Sequence, residues 1–433
     1  MAGKLSGFPE FLPRERIVEQ QVLDHLRRTF ELHGFANIET RAVEPLDVLL
    51  RKGDIDKEVY AVKRLAADPS EPADLALHYD LTVPFARYVL ENAGKLDFPF
   101  RRWQIQKVWR GERPQQGRFR EFTQADIDIV ARDVLPFHFD VEVARVMAEA
   151  LAGLPIPTAT LQISNRKILE GFYLGLGVDD PTAVMQVVDK LDKVPAEKIR
   201  TLLIDQGLDE RQSDQVLALA EIVTTDTSFV AQVEALGVEH EMLAEGLDEL
   251  AQVVAGASGV DGVVVTADLR IARGLDYYTG TVFETRLEGW EHLGSICSGG
   301  RYDKLASDRR NTYPGVGISL GVSRLLVPLE LSASRSVPSA VLVAVDDEAS
   351  RPGSDEVARQ LRARGIPTEV APKADRFGKQ IQFAEKRGIP YVWFPPTSVK
   401  DIRSGDQVDA DPATWAPPAE DLIPFIPSKE QNS

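Results

Sequence analysis

The sequence predicts an α+β protein with a helical insert, followed by a separate small α/β domain, and three observations predict it. Strand-like segments lie at both ends of residues 1–329, and a stretch rich in Ala, Leu, Glu and Asp, about 175–256, reads as several short helices between them. Residues 330–338, with three serines and Pro338, have the texture of a linker. From 339 to 433, strand-like and helix-like runs alternate. At 433 residues, 43% hydrophobic and 27% charged, the chain is long enough for two or three domains with real cores.

In order along the chain, residues 14–33 read as an amphipathic helix, because Val18, Val22, Leu26 and Phe30 recur every four positions and Gly34 closes the run. Strand-like segments continue to residue 130, and a helix begins near Asp140. After the insert, strand character returns at Val263, Val264 and Val265 and runs on to residues 315–324. In the last part, 340–345, 367–370 and 391–394 read as strands, and 353–364 and 374–387 as helices. The tail, with Pro412, Pro417, Pro418, Pro424 and Pro427, reads as mostly irregular.

Composition narrows the function classes. No stretch approaches the ~20 apolar residues that span a bilayer, the N-terminus lacks a secretory apolar core, and Cys297 is the single cysteine. These features predict a cytoplasmic protein with no membrane partner, no intrachain disulfide and no metal site built from a side-chain cluster. The net charge of −17 argues against a basic coat for nucleic acid. Yet residues 101–120 hold Arg101, Arg102, Lys107, Arg110, Arg113, Arg118 and Arg120 against the acids Glu112 alone, which predicts a local site for a polyanion.

That region reads as a hairpin, with extended runs 104–112 and 118–130 around the turn residues Pro114, Gln115, Gln116 and Gly117. Alternation puts Arg118, Arg120, Phe122, Gln124, Asp126 and Asp128 on one face and Phe119, Ala125, Ile127 and Ile129 on a core side, with Arg110 able to lie across from the polar face. A solvated face of interspersed charges is the plain alternative. Against it stands the order of the chemistry: arginines, an aromatic, an amide, then carboxylates. The run spans about 33 Å, room for a polyphosphate, a base and a small polar ligand end to end. Arginines clamp phosphates bidentately, and Phe122 could stack on a purine.

The string Val108-Trp109-Arg110-Gly111-Glu112-Arg113-Pro114-Gln115-Gln116-Gly117-Arg118-Phe119-Arg120-Glu121-Phe122-Thr123-Gln124-Ala125-Asp126-Ile127-Asp128 resembles motif 2 of the histidyl-tRNA synthetases, a class II family. The resemblance implies an antiparallel-sheet catalytic domain over 1–329 and an anticodon-binding domain over 339–433. It implies that Arg110 meets the α-phosphate and the amino-acid carboxylate, that Phe122 stacks on adenine, and that Gln124 and Asp128 line the histidine pocket. Glu112 and Arg118 fall among the ATP contacts, while Arg113 and Gln115 face the tRNA acceptor end.

Further segments resemble the same family. Tyr79-Asp80-Leu81-Thr82-Val83-Pro84 is a helix start by its residue types, and the resemblance gives Asp80 to the histidine α-ammonium and Thr82 to the histidine site; arginine usually stands where this chain has His78. Arg273-Gly274-Leu275-Asp276-Tyr277-Tyr278 could by itself be a surface turn, but is similar to the histidine-specific element, in which Arg273 joins Arg110 at the reacting centre and Tyr277 and Tyr278 contact the imidazole. Gly299-Gly300-Arg301-Tyr302-Asp303 is a weaker match. Residues 315–324 read as strand, glycine turn and helix and resemble class II motif 3, which gives Arg324 to the ATP γ-phosphate, although an acid usually stands at Ser323. Residues 377–391 and 399–403 resemble the anticodon-binding domain, for which a generic α/β regulatory module is the alternative.

Two rivals fail on the sequence. Gly317-Ile318-Ser319-Leu320-Gly321 fits a hydrolase nucleophile elbow, but that fold needs a histidine after the serine, and all six histidines precede Ser319. The phosphate-loop string is missing. The resemblance therefore implies histidine–tRNA ligation from L-histidine, ATP with Mg²⁺ and tRNA(His), by a homodimer joined around residues 8–35. A paralogue that regulates histidine biosynthesis without charging tRNA is the runner-up.

Overall fold

The computed structural model describes residues 5–50, 58–68, 70–272, 277–307, 310–329 and 334–424. Contacts divide the chain into two units, residues 1–9 with 23–328 and residues 10–22 with 329–433. The first helix, α1 (Pro13–Leu32), forms where the four-residue apolar spacing predicts it. Val18, Val22, Leu26 and Phe30 are all fully buried, and Gly34 takes the left-handed turn after it at φ 75°.

The first unit is built on a nine-stranded sheet. Strand β1 (Ala36–Asn37) precedes a small separate sheet of β2 (Val43–Pro45), β3 (Ala61–Val62) and β4 (Leu75–Leu77), with α2 (Leu46–Leu49) beside it. Helix α3 (Thr82–Asn92) leads to the long hairpin β5 (Phe100–Trp109) and β6 (Glu121–Val130), then α4 (His138–Ala152) and β7 (Ala159–Asn165). Next come α5 (Arg166–Gly175), α6 (Pro181–Val188), α7 (Ala196–Asp205), α8 (Glu210–Ala220), the short β8 (Val223–Thr224), α9 (Phe229–Glu234) and α10 (Glu241–Ala257). The chain returns through β9 (Val263–Asp268), β10 (Thr281–Leu287), β11 (Cys297–Ser307) and β12 (Thr312–Gly321) to α11 (Val322–Leu325).

The strand order is β1-β5-β6-β12-β11-β10-β7-β9-β8. From β5 to β7 every neighbouring pair is antiparallel. Parallel pairs occur only near the edges, β1 on β5 and β9 on β7. A parallel pair needs a long crossover, and the helices between β7 and β9 supply it. That helical run is not detached from the sheet, because Val223 and Thr224 pair with β9. Ala125, Ile127, Ile129, Val316, Ile318 and Leu320 give the central strands an apolar face with almost no exposure, and α4 packs against β6 and β12.

The second unit holds β13 (Val341–Val343), α12 (Arg351–Ala363), β14 (Thr368–Val370), α13 (Phe377–Arg387), β15 (Tyr391–Phe394), β16 (Ser398–Asp401), β17 (Gln407–Asp409) and α14 (Ala419–Leu422). Its sheet runs β14-β13-β15-β16-β17, parallel in the first three strands and antiparallel in the rest. Val341 and Val343 pack with Val357, Ala358 and Leu361 of α12, while Leu342 and Ala344 pack with Ala384 of α13. A helix on each face explains why this strand is apolar at every position. Ser334 and Arg335 are buried, although the segment reads as a linker; the Arg335 guanidinium donates to the Asp421 carbonyl at 2.6 Å.

Candidate active site

The polar face of β6 carries Phe122, Gln124, Asp126 and Asp128 of the expected row, while Arg118 and Arg120 lie in the loop before the strand. Register sets Asp128 opposite Arg102, Asp126 opposite Gln104 and Gln124 opposite Gln106 on β5, with Gly317, Ser319 and Gly321 of β12 on the other side. The plain alternative of a solvated face does not hold: Gln124, Asp126 and Asp128 are all at most 3% exposed. Glycines make room for them. A Cβ on Gly317 would overlap the Asp128 carboxylate, one on Gly315 the Tyr302 ring, and one on Gly300 the Tyr278 ring.

At the inner end, Asp128 is gripped from two directions. Arg102 Nη2 lies 2.6 Å from Oδ2, and the Tyr302 hydroxyl donates to Oδ1 at 2.6 Å. Arg102 itself is fully buried, with its guanidinium 4.4 Å from the Phe85 ring centre. Burial pushes the Asp128 carboxyl up to about 7 against the pull of Arg102, helped by the neighbouring charge of Asp126. Burial also raises the Tyr278 hydroxyl, and the charges of Asp128 and Asp80 add to that. The Tyr277 and Tyr278 rings lie 4.2 Å apart. A carboxylate, phenols and a low-polarity wall suit a small ring with one donor and one acceptor nitrogen.

At the outer end the face opens into a cleft of about 530 Å³, its open mouth included, lined by Arg110, Glu112, Arg118, Phe122, Gln124, Ser323 and Arg324 among others. Arg110 donates from Nε to the Tyr79 carbonyl at 3.1 Å and from Nη2 to Gln124 Oε1 at 3.2 Å, and its guanidinium lies over the Phe122 ring at 5.2 Å. Arg118 and Glu112 form an ion pair at 3.5 Å. Arg324, on α11 just beyond the glycine turn, donates to the Ser295 carbonyl. Asp80 Oδ1 accepts the Val83 backbone N–H at 3.1 Å, and Thr82 heads α3, so the helix-start reading holds beside any ligand role. Arg113 and Gln115 are exposed on the hairpin loop.

Three expectations are corrected. The first strand of the hairpin runs from Phe100 to Trp109 rather than 104–112, and the second begins at Glu121. Between them the ladder gives way to a loop, in which Arg110 N–H bonds the Arg120 carbonyl and Gln115 pairs with Arg118. Alternation therefore stops short of Phe119, which is half-buried and lines the cleft instead of the core. The seven cations of 101–120 also do not form one patch. Arg102 is buried beside Asp126 and Asp128, Arg101 pairs with Glu142, and Arg120 Nε donates to the Glu112 carbonyl at 3.2 Å. Arg273 and Asp276 lie outside the described residues.

The sequence profile of the family described as histidyl-tRNA synthetase matches residues 7–325, and that of an anticodon binding domain matches 339–394. The chain belongs to the histidyl-tRNA synthetase family. It is 60% identical to the histidine–tRNA ligase of Cutibacterium acnes and 59% to that of Micrococcus luteus, each comparison covering 98% of both chains. The crystal structure of the histidyl-tRNA synthetase from Nostoc sp. PCC 7120 superposes with a TM-score of 0.84 at 34% identity, covering 95% of this chain and 97% of that one.

Within this class II synthetase fold, three buried groups stand beside the expected site residues without a role assigned from the sequence. Arg102 was visible only as part of a cationic run, and Tyr302 only inside a weak glycine-rich match. Asp126 sat on the predicted face without a role. Their signal is cross-strand, and only register brings it out. At the histidyl-tRNA synthetase position where arginine is usual, His78 is fully buried and donates from Nε2 to the Lys107 carbonyl at 2.6 Å. Ser323 is buried at the head of α11.

Proposed function

We infer that this cleft activates L-histidine with ATP to histidyl-adenylate and passes the histidyl group to the 3′ end of tRNA(His). The observation that carries the reading is the order from the cleft inward: Arg110 and Arg118 of the hairpin loop with the Phe122 ring, then Gln124, then the buried Asp128–Tyr302 pair. The ligases at 60% and 59% identity support it over the non-charging paralogue.

In the first step a histidine carboxylate oxygen attacks the α-phosphorus and pyrophosphate leaves; in the second the ribose hydroxyl of the terminal adenosine attacks the acyl carbon and AMP leaves. No covalent enzyme intermediate is needed, so the protein's work is alignment and charge neutralisation. Arg110 and Arg273 serve the reacting carboxylate and α-phosphate. Arg118 and Arg324 hold the outer phosphates, Phe122 stacks on adenine, and Glu112 completes the ATP site. Asp80, Thr82 and Gln124 take the α-ammonium, while Asp128, Tyr277 and Tyr278 take the imidazole. Arg113 and Gln115 meet the tRNA acceptor end.

Among the described residues, no three His, Cys, Asp or Glu side chains gather as a metal cage. Mg²⁺ would come with the ATP phosphates and be held on the protein side by Glu112, which lines the cleft. Bound there, Mg²⁺ supplies charge neutralisation on the phosphates. We further read the enzyme as a cytoplasmic homodimer joined around residues 8–35, with residues 1–329 catalytic, 330–338 linking, and 339–433 reading the anticodon. No helix among the described residues is long and apolar enough to cross a membrane.

The test is ATP–pyrophosphate exchange with each amino acid in turn, without tRNA. Exchange with histidine alone is expected. No exchange from folded, Mg²⁺-supplied protein would sink the ligase reading and favour the regulatory paralogue.

A further inference from the structure

Asp126 has no substrate contact in the reading above, yet it is fully buried in the middle of the site's polar face. Its two oxygens accept from Gln124 Nε2 at 3.0 and 3.2 Å. Arg102 Nη2 lies 3.6 Å away, and the Ser319 hydroxyl on β12 bonds the same carboxyl. At the other end of the Gln124 amide, Oε1 accepts from Arg110 Nη2 at 3.2 Å.

A guanidinium has donors only, so the oxygen end of the amide must face Arg110 and the NH₂ end must face Asp126. Two partners of opposite kind thus hold one amide in one orientation. Were the histidine carboxylate and the α-phosphate to draw Arg110 away from Gln124, Asp126 would be left to keep the NH₂ turned inward. The oxygen freed by Arg110 would then be presented to the α-ammonium. A flipped amide would set its NH₂ against that ammonium and its oxygen against Asp126, two like-to-like contacts in a buried site.

We propose that Asp126 is a positioning residue: it holds the Gln124 amide with its oxygen toward the substrate, and so sets the enzyme's demand for the α-amino group of histidine. The role rests on Gln124 being a histidine contact. It needs an acceptor-only oxygen facing Gln124, which the ionised carboxylate has and which a protonated carboxyl keeps only with its O–H turned to Ser319. Burial holds the Asp126 carboxyl above the usual range.

The experiment compares binding of L-histidine with that of imidazole-4-propionate, which lacks only the α-amino group, by calorimetry on the full-length protein. Asp126→Asn is nearly isosteric but offers Gln124 either an oxygen or an NH₂. It should lower the preference for L-histidine over imidazole-4-propionate about tenfold, with the affinity for imidazole-4-propionate little changed. In a Gln124→Ala background the same substitution should change the preference no further. An unchanged preference in Asp126→Asn, equal weakening of both ligands, or a full effect without Gln124 each overturns the proposal. Should Asp126→Asn not fold, Ser319→Ala removes one bond to the same carboxyl and should shift the preference about two- to threefold; no shift there overturns it equally. If the wild type itself shows no preference, or Gln124→Ala leaves the preference intact, the assignment of Gln124 fails first, and the proposal with it.

Discussion

Asp128 is the residue whose chemistry is easiest to test. Held by Arg102 and Tyr302 in a buried setting, its carboxyl is pushed up from 3.8 to about 7. The folded state therefore keeps a proton there that the unfolded chain gives up near pH 4. The stabilising contribution is full below about pH 4 and is lost as pH rises through 7. Asp128→Asn should flatten the part of the stability curve between about pH 4 and 7, read as urea midpoints; an unaltered slope would show that Asp128 ionises at its ordinary pKa. The same variant should raise KM for histidine about 100-fold and leave KM for ATP alone, since it replaces a carboxyl at a buried ring site with an amide of different donor and acceptor pattern. Tyr302→Phe should weaken histidine about tenfold, because Asp128 loses one of its two donors.

The central strands work as a set, with bare positions on β11 and β12 under the reactive side chains of β6. Gly317→Ala is expected to cost about 1–3 kcal/mol of stability and to raise KM for histidine, because its methyl group would occupy the place of the Asp128 carboxylate. Denaturant titration and exchange kinetics together check this; normal KM with normal stability would show that the strand can shift to accommodate it. The hairpin loop separates differently. Arg113→Ala with Gln115→Ala should lower tRNA charging about tenfold and make it less salt-dependent, with exchange unaltered. The loop's position follows from local bonds: the Gly7 carbonyl accepts the N–H groups of Arg120 and Glu121 at 2.7 and 3.1 Å, next to where the ladder resumes.

Across the molecule, the net charge of −17 is unevenly spread. Residues 175–256 hold seventeen acidic and five basic side chains, so the rest of the chain is close to balance and need not repel a polyanion. With a synthetase catalytic unit and a second unit matched by the anticodon-binding family, tRNA binding is expected to be bivalent. A chain ending at residue 329 should retain histidine-dependent pyrophosphate exchange while charging falls about 100-fold at limiting tRNA. Equal loss of both activities would mean that the second unit is needed for the fold of the first.

Much of this was legible because the relevant information is local. A four-residue apolar period marks α1, alternation marks the face of β6, and the order of arginine, phenylalanine, amide and acid along the chain marks the site. Strand-helix alternation likewise marks the C-terminal sheet and its two covering helices. Periodicity says which side a residue faces, but not what stands opposite. Arg102 and Arg113 look alike in one cationic run, yet one is locked between buried acids and the other is exposed, because β5 lies beside β6 and the ladder ends at Trp109. Asp128 and Tyr302 are 174 residues apart in sequence and meet only because β12 separates their strands with glycines where their side chains cross. Strand order and register, which depend on how the whole chain packs, turn a recognisable row of residue types into a pocket of defined charge.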